Sequence, residues 1–206
     1  MNIQNLQNQK GFTLVEIAIV LVIIGLLLGG VLKGQELIEN TKIKAVKQDS
    51  DGLVSAIHGY QDRFRAIPGD DAAAVANVAG TLATTPAGGI GDGSVDGLFD
   101  TVTVTDESYL IFEHLRLAGF ISGDPDDTTP QPQNSFGGIT GVTTTAAGAT
   151  GIVICQTGLT DEQMTLVDIR YDDGAVDSGV IRGTADSAGT ADAAYDADTH
   201  ALCIIY

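Results

Sequence analysis

The chain has 206 residues and a formal net charge of −17 at pH 7, enough for one modest domain once any membrane segment is subtracted. The charge is uneven: residues 1–66 carry seven Lys/Arg against six Asp/Glu, whereas residues 67–206 carry three against 21. So acidic a distal part repels phosphates, which argues against direct nucleic-acid binding and suits an extracytoplasmic or cation-binding surface.

Met1 to Lys10 is polar, with Lys10 its one basic side chain, and reads as a short leader held on the cytoplasmic side. Phe12 to Leu32 then gives 21 residues with a single charge, Glu16, long enough to cross a hydrocarbon core of roughly 30 Å as a helix. This apolar core is too long for a secretory signal, and no Ala-x-Ala pattern follows Leu32 at the spacing a signal peptidase needs. The segment is therefore expected to be retained. Glu16 is its anomaly, because an intramembrane carboxylate costs roughly 2.5 kcal/mol or more unless it is paired or protonated. A cut after Gly11 would supply a partner, the new α-amine of Phe12, on the same chain or on a neighbour.

Gly11-Phe12-Thr13-Leu14-Val15-Glu16 followed by the apolar run resembles the class III leader and N-terminal helix of type IV pilins and type II secretion pseudopilins. That resemblance implies cleavage between Gly11 and Phe12 by a prepilin peptidase, which also methylates the Phe12 amine. It implies that Glu16 neutralises a neighbouring N-terminus as a filament forms. It also implies an inner-membrane assembly platform, other pilin subunits as partners, and a location that shifts from the inner membrane to an extracellular pilus or a periplasmic pseudopilus.

After Leu32 the helical pattern continues. Ile43, Val46, Ser50, Leu53, Ile57, Tyr60 and Phe64 recur at steps of three and four, with no proline before Pro68. This predicts one helix from Phe12 to about Arg65, roughly 80 Å long, apolar all round in its first half and amphipathic in its second. Gly25, Gly29 and Gly30 weaken it, and a bend or partial unwinding is expected there. Ile67-Pro68-Gly69-Asp70 ends it. The expected divisions are a leader at 1–11, a membrane or filament-core helix at 12–33, an amphipathic half at 34–67 and a globular domain at 68–206.

Residues 72–105, rich in Ala, Gly and Thr, read mostly as a connecting loop. Within it Asp92-Gly93-Ser94-Val95-Asp96-Gly97 resembles the opening of a calcium loop, making Asp92, Ser94 and Asp96 candidate ligands. Thr103 stands where the closing bidentate glutamate belongs, and Asp100 and Asp106 would serve only along a different loop path. A solvated turn is the competing reading. Asp106 to Ile121 reads as a helix capped by Asp106, buried through Tyr109, Leu110, Phe112, Leu115 and Leu117, closed near Gly119, with His114 on its surface.

Beyond Gly123 the pattern changes to strands at Ser135–Val142, Ile152–Gln156, Gly179–Arg182 and Ala201–Tyr206. Between them a helix opens at Thr160 with a capping box and runs to about Tyr171. Val167-Asp168 and Asp172-Asp173-Gly174 within Thr160 to Gly183 resemble a helix-turn-strand of pilin-like domains. The expected fold is α+β, a long helical spine packed against a C-terminal antiparallel sheet. Cys155 and Cys203 are the only cysteines; outside the cytoplasm they are expected to pair, closing a loop of about 48 residues. Asp192, Asp196 and Asp198 form a weaker calcium candidate, on the resemblance to major pseudopilins. Adjacent acids such as Asp70-Asp71 and Asp172-Asp173 read as solvated turns.

No nucleophile turn, zinc-spaced cluster or phosphate loop accompanies these features, so a structural subunit is expected rather than an enzyme, with no cofactor unless calcium binds. A major pilin, a minor pilin, a secretion pseudopilin and a non-polymerising, single-span binding module remain the alternatives.

Overall fold

The computed structural model describes residues 11–85, 89–186, 189–196 and 199–206. The chain divides into two units, Met1–Thr41 and Lys42–Tyr206. Helix α1 is assigned from Leu14 to Phe64. In the first unit its apolar side chains face outward on every side, from Leu14 at 90% exposure to Leu32 at 66%. It is the one described helix long and apolar enough to cross a membrane. The helix is continuous through Gly25, Gly29 and Gly30, where the sequence predicts a bend. Each glycine keeps its N–H, so no backbone bond is removed as a proline would remove one.

In the second unit α1 buries one stripe: Ile43, Val46, Ser50, Leu53, Ile57 and Tyr60 are all inaccessible, at the predicted spacing. The stripe packs on a four-stranded antiparallel sheet of β1 (Thr140–Ala146), β2 (Ala149–Thr157), β3 (Ile181–Thr184) and β4 (Ala201–Ile205), in the order β1-β2-β4-β3. The C-terminal strand thus lies inside the sheet, as its apolar run suggests. Leu53, Ile57 and Tyr60 share a core with Val142 and Ile154, while Ile43 and Val46 share one with Ile181, Leu202 and Ile204. Gln156 ties β2 to the helix, its Nε2 donating to Val46 O at 2.7 Å and to Ser50 Oγ at 2.9 Å.

The other face of the sheet carries Val153, Cys155 and Cys203 under Phe99. Cys155 stands opposite Cys203 in the β2–β4 register, and the two form a disulfide. Phe99 comes so close that a Cβ on Gly141 would lie 1.9 Å from its carbonyl oxygen.

Helix α3 (Glu107–Leu117) and helix α4 (Asp161–Tyr171) match their expected positions. Thr160 and Gln163 form the predicted capping box. Three local readings are corrected. The strand expected at Ser135–Val142 starts at Thr140, because Asn134 Oδ1 accepts the N–H groups of Phe136 and Gly138 and folds 134–138 into a turn. Asp106 holds the N-cap position of α3 as expected, but its carboxylate bonds no helix N–H and accepts instead from the hydroxyls of Thr85 and Thr101. The loop at 72–105 contains a short helix, α2 (Ala74–Val78).

His114 is also corrected, from a surface position to a fully buried one. Its Nδ1 accepts the Gly69 N–H at 2.9 Å, so Nε2 carries the proton and donates to Thr81 O at 2.8 Å. The neutral ring therefore fastens the turn after α1 and the segment at Thr81 to α3, and burial pushes its pKa below the usual histidine value.

Two outcomes are expected. Above about pH 6.5 the imidazole is neutral in both folded and unfolded chains; as pH falls the unfolded chain takes up the proton first. The His114 contribution is then lost at up to about 1.4 kcal/mol per pH unit. Urea unfolding at pH 7.5 and 5.5 should show a steeper loss for wild type than for His114→Gln. Replacing Cys155 and Cys203 together by Ser should cost about 4 kcal/mol, from the separation of 48 residues, and lower the calorimetric midpoint by about 10 °C.

Candidate functional site

The first region of interest is the start of α1. Gly11, Phe12 and Thr13 precede the helix in non-helical backbone, and Phe12 is 84% exposed. A Cβ on Gly11 would meet open space, so the fold of this chain places no demand for glycine there. Thr13 is the N-cap. Glu16 Oε2 accepts the Thr13 N–H at 2.8 Å and the Thr13 hydroxyl at 2.7 Å, while Glu16 N–H donates to Thr13 Oγ1 at 3.2 Å. This is a capping box, which supplies acceptors for two backbone N–H groups that a helix start leaves unpaired. Thr-x-x-Glu ahead of an apolar run is the sequence signal for this cap, a local role for Glu16 beside the expected pairing with the Phe12 amine.

The second region lies where the 69–73 turn, the 89–97 loop and the first turn of α3 meet. Asp70 and Asp71, expected as solvated acids, are 3% and 1% exposed. Asp71 Oδ1 accepts the Ala73 N–H at 2.8 Å. Its Oδ2 accepts the Tyr60 hydroxyl and the Asn77 amide, each at 2.7 Å. Burial and the Asp71 carboxylate push the Tyr60 phenol well above its ordinary pKa. Asp70 accepts three backbone N–H groups of the loop: Gly91 and Asp92 (3.2 Å) at Oδ1, and Gly93 (2.8 Å) at Oδ2. Both acids were invisible as interior groups because nothing in the pair Asp70-Asp71 records that a turn will be folded back against a helix.

The candidate ligands Asp92, Ser94 and Asp96 lie on this loop. Asp92 Oδ1 turns back to the Ser94 N–H at 2.9 Å, and the Asp96 N–H donates to Glu107 Oε2 at 2.9 Å. Thr103 N–H donates to Thr101 Oγ1 at 3.1 Å. Asp100 faces His200, with Oδ2 3.1 Å from Nε2. The loop thus closes around Asp70 and Glu107, residues the motif does not contain. Glu107 is fully buried, and burial, together with the Asp70 and Asp96 charges, pushes its carboxyl above the usual carboxylate range against one backbone hydrogen bond.

A third acidic group, Asp168, Asp172 and Asp173, brings one oxygen from each within 4.8 Å of the others. Its oxygens serve the turn after α4. Asp168 accepts from Gly174 N–H (3.1 Å) and Tyr195 OH (2.8 Å), Asp172 from Val180 and Ile181 N–H (2.5 and 2.8 Å), and Asp173 from Ala175 N–H and Ser178 OH. Asp192 accepts the Thr199 hydroxyl at 2.8 Å, and that hydroxyl in turn accepts the Asp196 N–H. Asp198 falls outside the described residues.

Comparison with known proteins gives one match. Residues 6–32 fit the family model of the prokaryotic N-terminal methylation motif. The segment is thus a class III prepilin leader with the start of its helix, of the kind typical of type IV pilins and pseudopilins. No curated protein and no solved structure matches the chain.

The junction at Gly69 gives a direct check on the second region. Its φ is +91°, and a Cβ there would lie 2.4 Å from the Glu107 carbonyl oxygen. Gly69→Ala is expected to destabilise the protein by about 2 kcal/mol or more, read as a lower urea midpoint. An unchanged midpoint would mean the turn does not seat on α3.

Proposed function

We propose that this chain is a structural subunit of a type IV pilus or pilus-like filament. In this reading prepilin peptidase cuts between Gly11 and Phe12 and methylates the new amine, the apolar part of α1 holds the subunit in the inner membrane, and subunits then pack their helices into a filament core. The observation that supports it most is the coincidence of the methylation motif at residues 6–32 with a helix whose apolar side chains are outward-facing on all sides. A helix exposed all round is unstable in water and needs lipid or other helices around it. Filament growth of this kind is heterologous and non-closing. The acidic distal part would then form the outer surface, facing the cell exterior in a pilus or the periplasm in a pseudopilus.

Glu16 has two tasks in this account. Before cleavage it caps its own helix, and after cleavage it neutralises an α-amine as the subunit joins the filament. The two are separable, because Glu16→Gln retains a side-chain oxygen for the Thr13 cap while losing the charge. Both Glu16→Gln and Glu16→Ala are expected to leave cleavage largely intact and to reduce sheared filaments at least tenfold. Mass spectrometry of wild-type filaments should give a mature chain starting at Phe12. Full filament yield from Glu16→Gln would assign Glu16 to capping alone, and a mature protein that is never recovered in filaments would favour a single-span anchored module.

A further inference from the structure

Glu107 and Asp70 meet in the interior as two acids in contact. Glu107 is fully buried and Asp70 is 3% exposed, and their side chains lie within hydrogen-bonding reach of one another. Backbone N–H groups of the loop hold three of the four oxygens. Those of Gly91 and Asp92 reach Asp70 Oδ1, that of Gly93 reaches Oδ2, and that of Asp96 reaches Glu107 Oε2. The fourth, Glu107 Oε1, finds no donor among the described residues. None of the ion pairs among the described residues involves either acid. Ionised carboxylates offer acceptors only, so two of them share a hydrogen bond only when one carries a proton.

The surroundings assign that proton to Glu107. Three N–H groups favour the ionised form of Asp70 against one for Glu107, and a proton on Oε1 gives that oxygen its missing partner. It also removes one of two like charges from a site with little water. The other titratable groups on the elements packed there supply no cation. Asp96 on the loop adds negative charge, and Asp71 on the turn is taken up by Tyr60 of α1 and by Asn77. At the start of α3 Asp106 accepts from Thr85 and Thr101, and further along the neutral His114 ring bridges Gly69 and Thr81. Strand β1 presents the hydroxyls of Thr143 and Thr144. The loop acids gather no third oxygen round the pair: among the described residues, the one group of three converging acids is Asp168, Asp172 and Asp173. We propose that Glu107 and Asp70 form a latch, a carboxyl–carboxylate pair whose single proton fastens the 91–97 loop to the first turn of α3 and whose loss loosens it.

The latch holds more than the loop. Ser108 N–H donates to Asp96 O at 3.1 Å, and Val95 enters the core beside Ile57 and Val142. The Val95 N–H donates to Thr144 Oγ1 at 3.1 Å. The loop also covers the outer edge of β1, since Thr144 N–H donates to Val95 O at 3.2 Å. One proton thus secures the covering of an edge strand as well as a pair of acids. Burial, with the Asp70 and Asp96 charges, pushes the Glu107 carboxyl up to about 7, against one backbone hydrogen bond. In an opened loop the same group returns to its ordinary value of 4.5. The latch is therefore complete below about pH 4.5, weakens as pH rises and is lost above about pH 7. The His114 contribution has the opposite sign, being lost on acidification, so the two are separable.

The test uses the full-length protein in detergent and two readouts. Hydrogen exchange read by mass spectrometry, corrected for the intrinsic rate at each pH, follows the loop. Between about pH 6 and 8.5 protection of peptides covering 90–98 and 140–146 should fall about tenfold in wild type, while protection of 201–206 stays constant. Infrared spectra over the same range should lose one carboxylic-acid carbonyl band. Glu107→Gln should show neither change, because its amide donates to Asp70 while its carbonyl still accepts from Asp96. It should melt no lower than wild type at pH 8.5. Asp168→Asn, which alters another buried acid held above its ordinary value, should keep both changes. Loop protection independent of pH in wild type overturns the proposal, as does an equal fall in Glu107→Gln. A wild-type spectrum without the band at pH 6, or a Glu107→Gln protein that melts below wild type at pH 8.5, also overturns it.

Discussion

The fold of the second unit depends on one stripe of α1. From Ile43 to Tyr60 the buried side chains fall at steps of three and four, and strands β1, β2, β3 and β4 each contribute a residue against them or their immediate neighbours. At about 25 cal/mol per Å², one such buried Ile or Leu is worth roughly 2 kcal/mol, so the stripe outweighs any single hydrogen bond in the domain. Tyr60 ends the stripe and joins it to the next layer. Its ring packs at a tilt against Phe64 and stacks on His114, with centroids at 4.5 and 6.3 Å, and its hydroxyl reaches Asp71. The turn that follows is thereby fixed in place before any loop is considered.

That turn shows how an acidic protein builds an interior from its own charges. Asp70 and Asp71 enter the fold as acceptors for backbone N–H groups in a segment with little regular structure of its own. Buried N–H groups need partners, and a carboxylate offers several lone pairs at once. His114 meets the same need with one ring nitrogen. The 69–97 region is consequently held by side-chain acceptors where a sheet would use backbone carbonyls, and its order depends on the protonation and charge of those side chains.

Periodicity made the long elements legible. The stripe on α1, the faces of α3 and α4 and the apolar C-terminal strand all follow from spacing, and the disulfide follows from two cysteines in strands that pair. What could not be read was set by contacts between residues distant in sequence. Asn134 delays β1 by folding its own turn, a competition that local strand propensity does not register. His114 sits on a helix otherwise patterned for burial, and only the arrival of Gly69, 45 residues earlier, gives it a buried partner. The loop at Asp92–Gly97 carries a recognisable order of oxygens, yet the acids it closes on, Asp70 and Glu107, lie outside the motif on either side.

Glu16 has a local chemistry that its most conspicuous property does not suggest. Its conspicuous property is a charge in an apolar run, which directs attention to a cationic partner. Its local geometry answers a different need, the unpaired N–H groups that every helix start presents. Those groups are especially costly at the edge of a lipid phase, where water is scarce. The capping box meets that cost while the leader is attached. Cleavage after Gly11 would change the balance, because it replaces the peptide N–H of Phe12 by a charged amine one residue from the cap. The carboxylate would then stand between a local hydrogen-bonding role and a stronger, charge-assisted one. On the proposed cleavage and assembly, a cap exchanged for an ion pair would let one acid support the helix in the precursor and lose little in a filament.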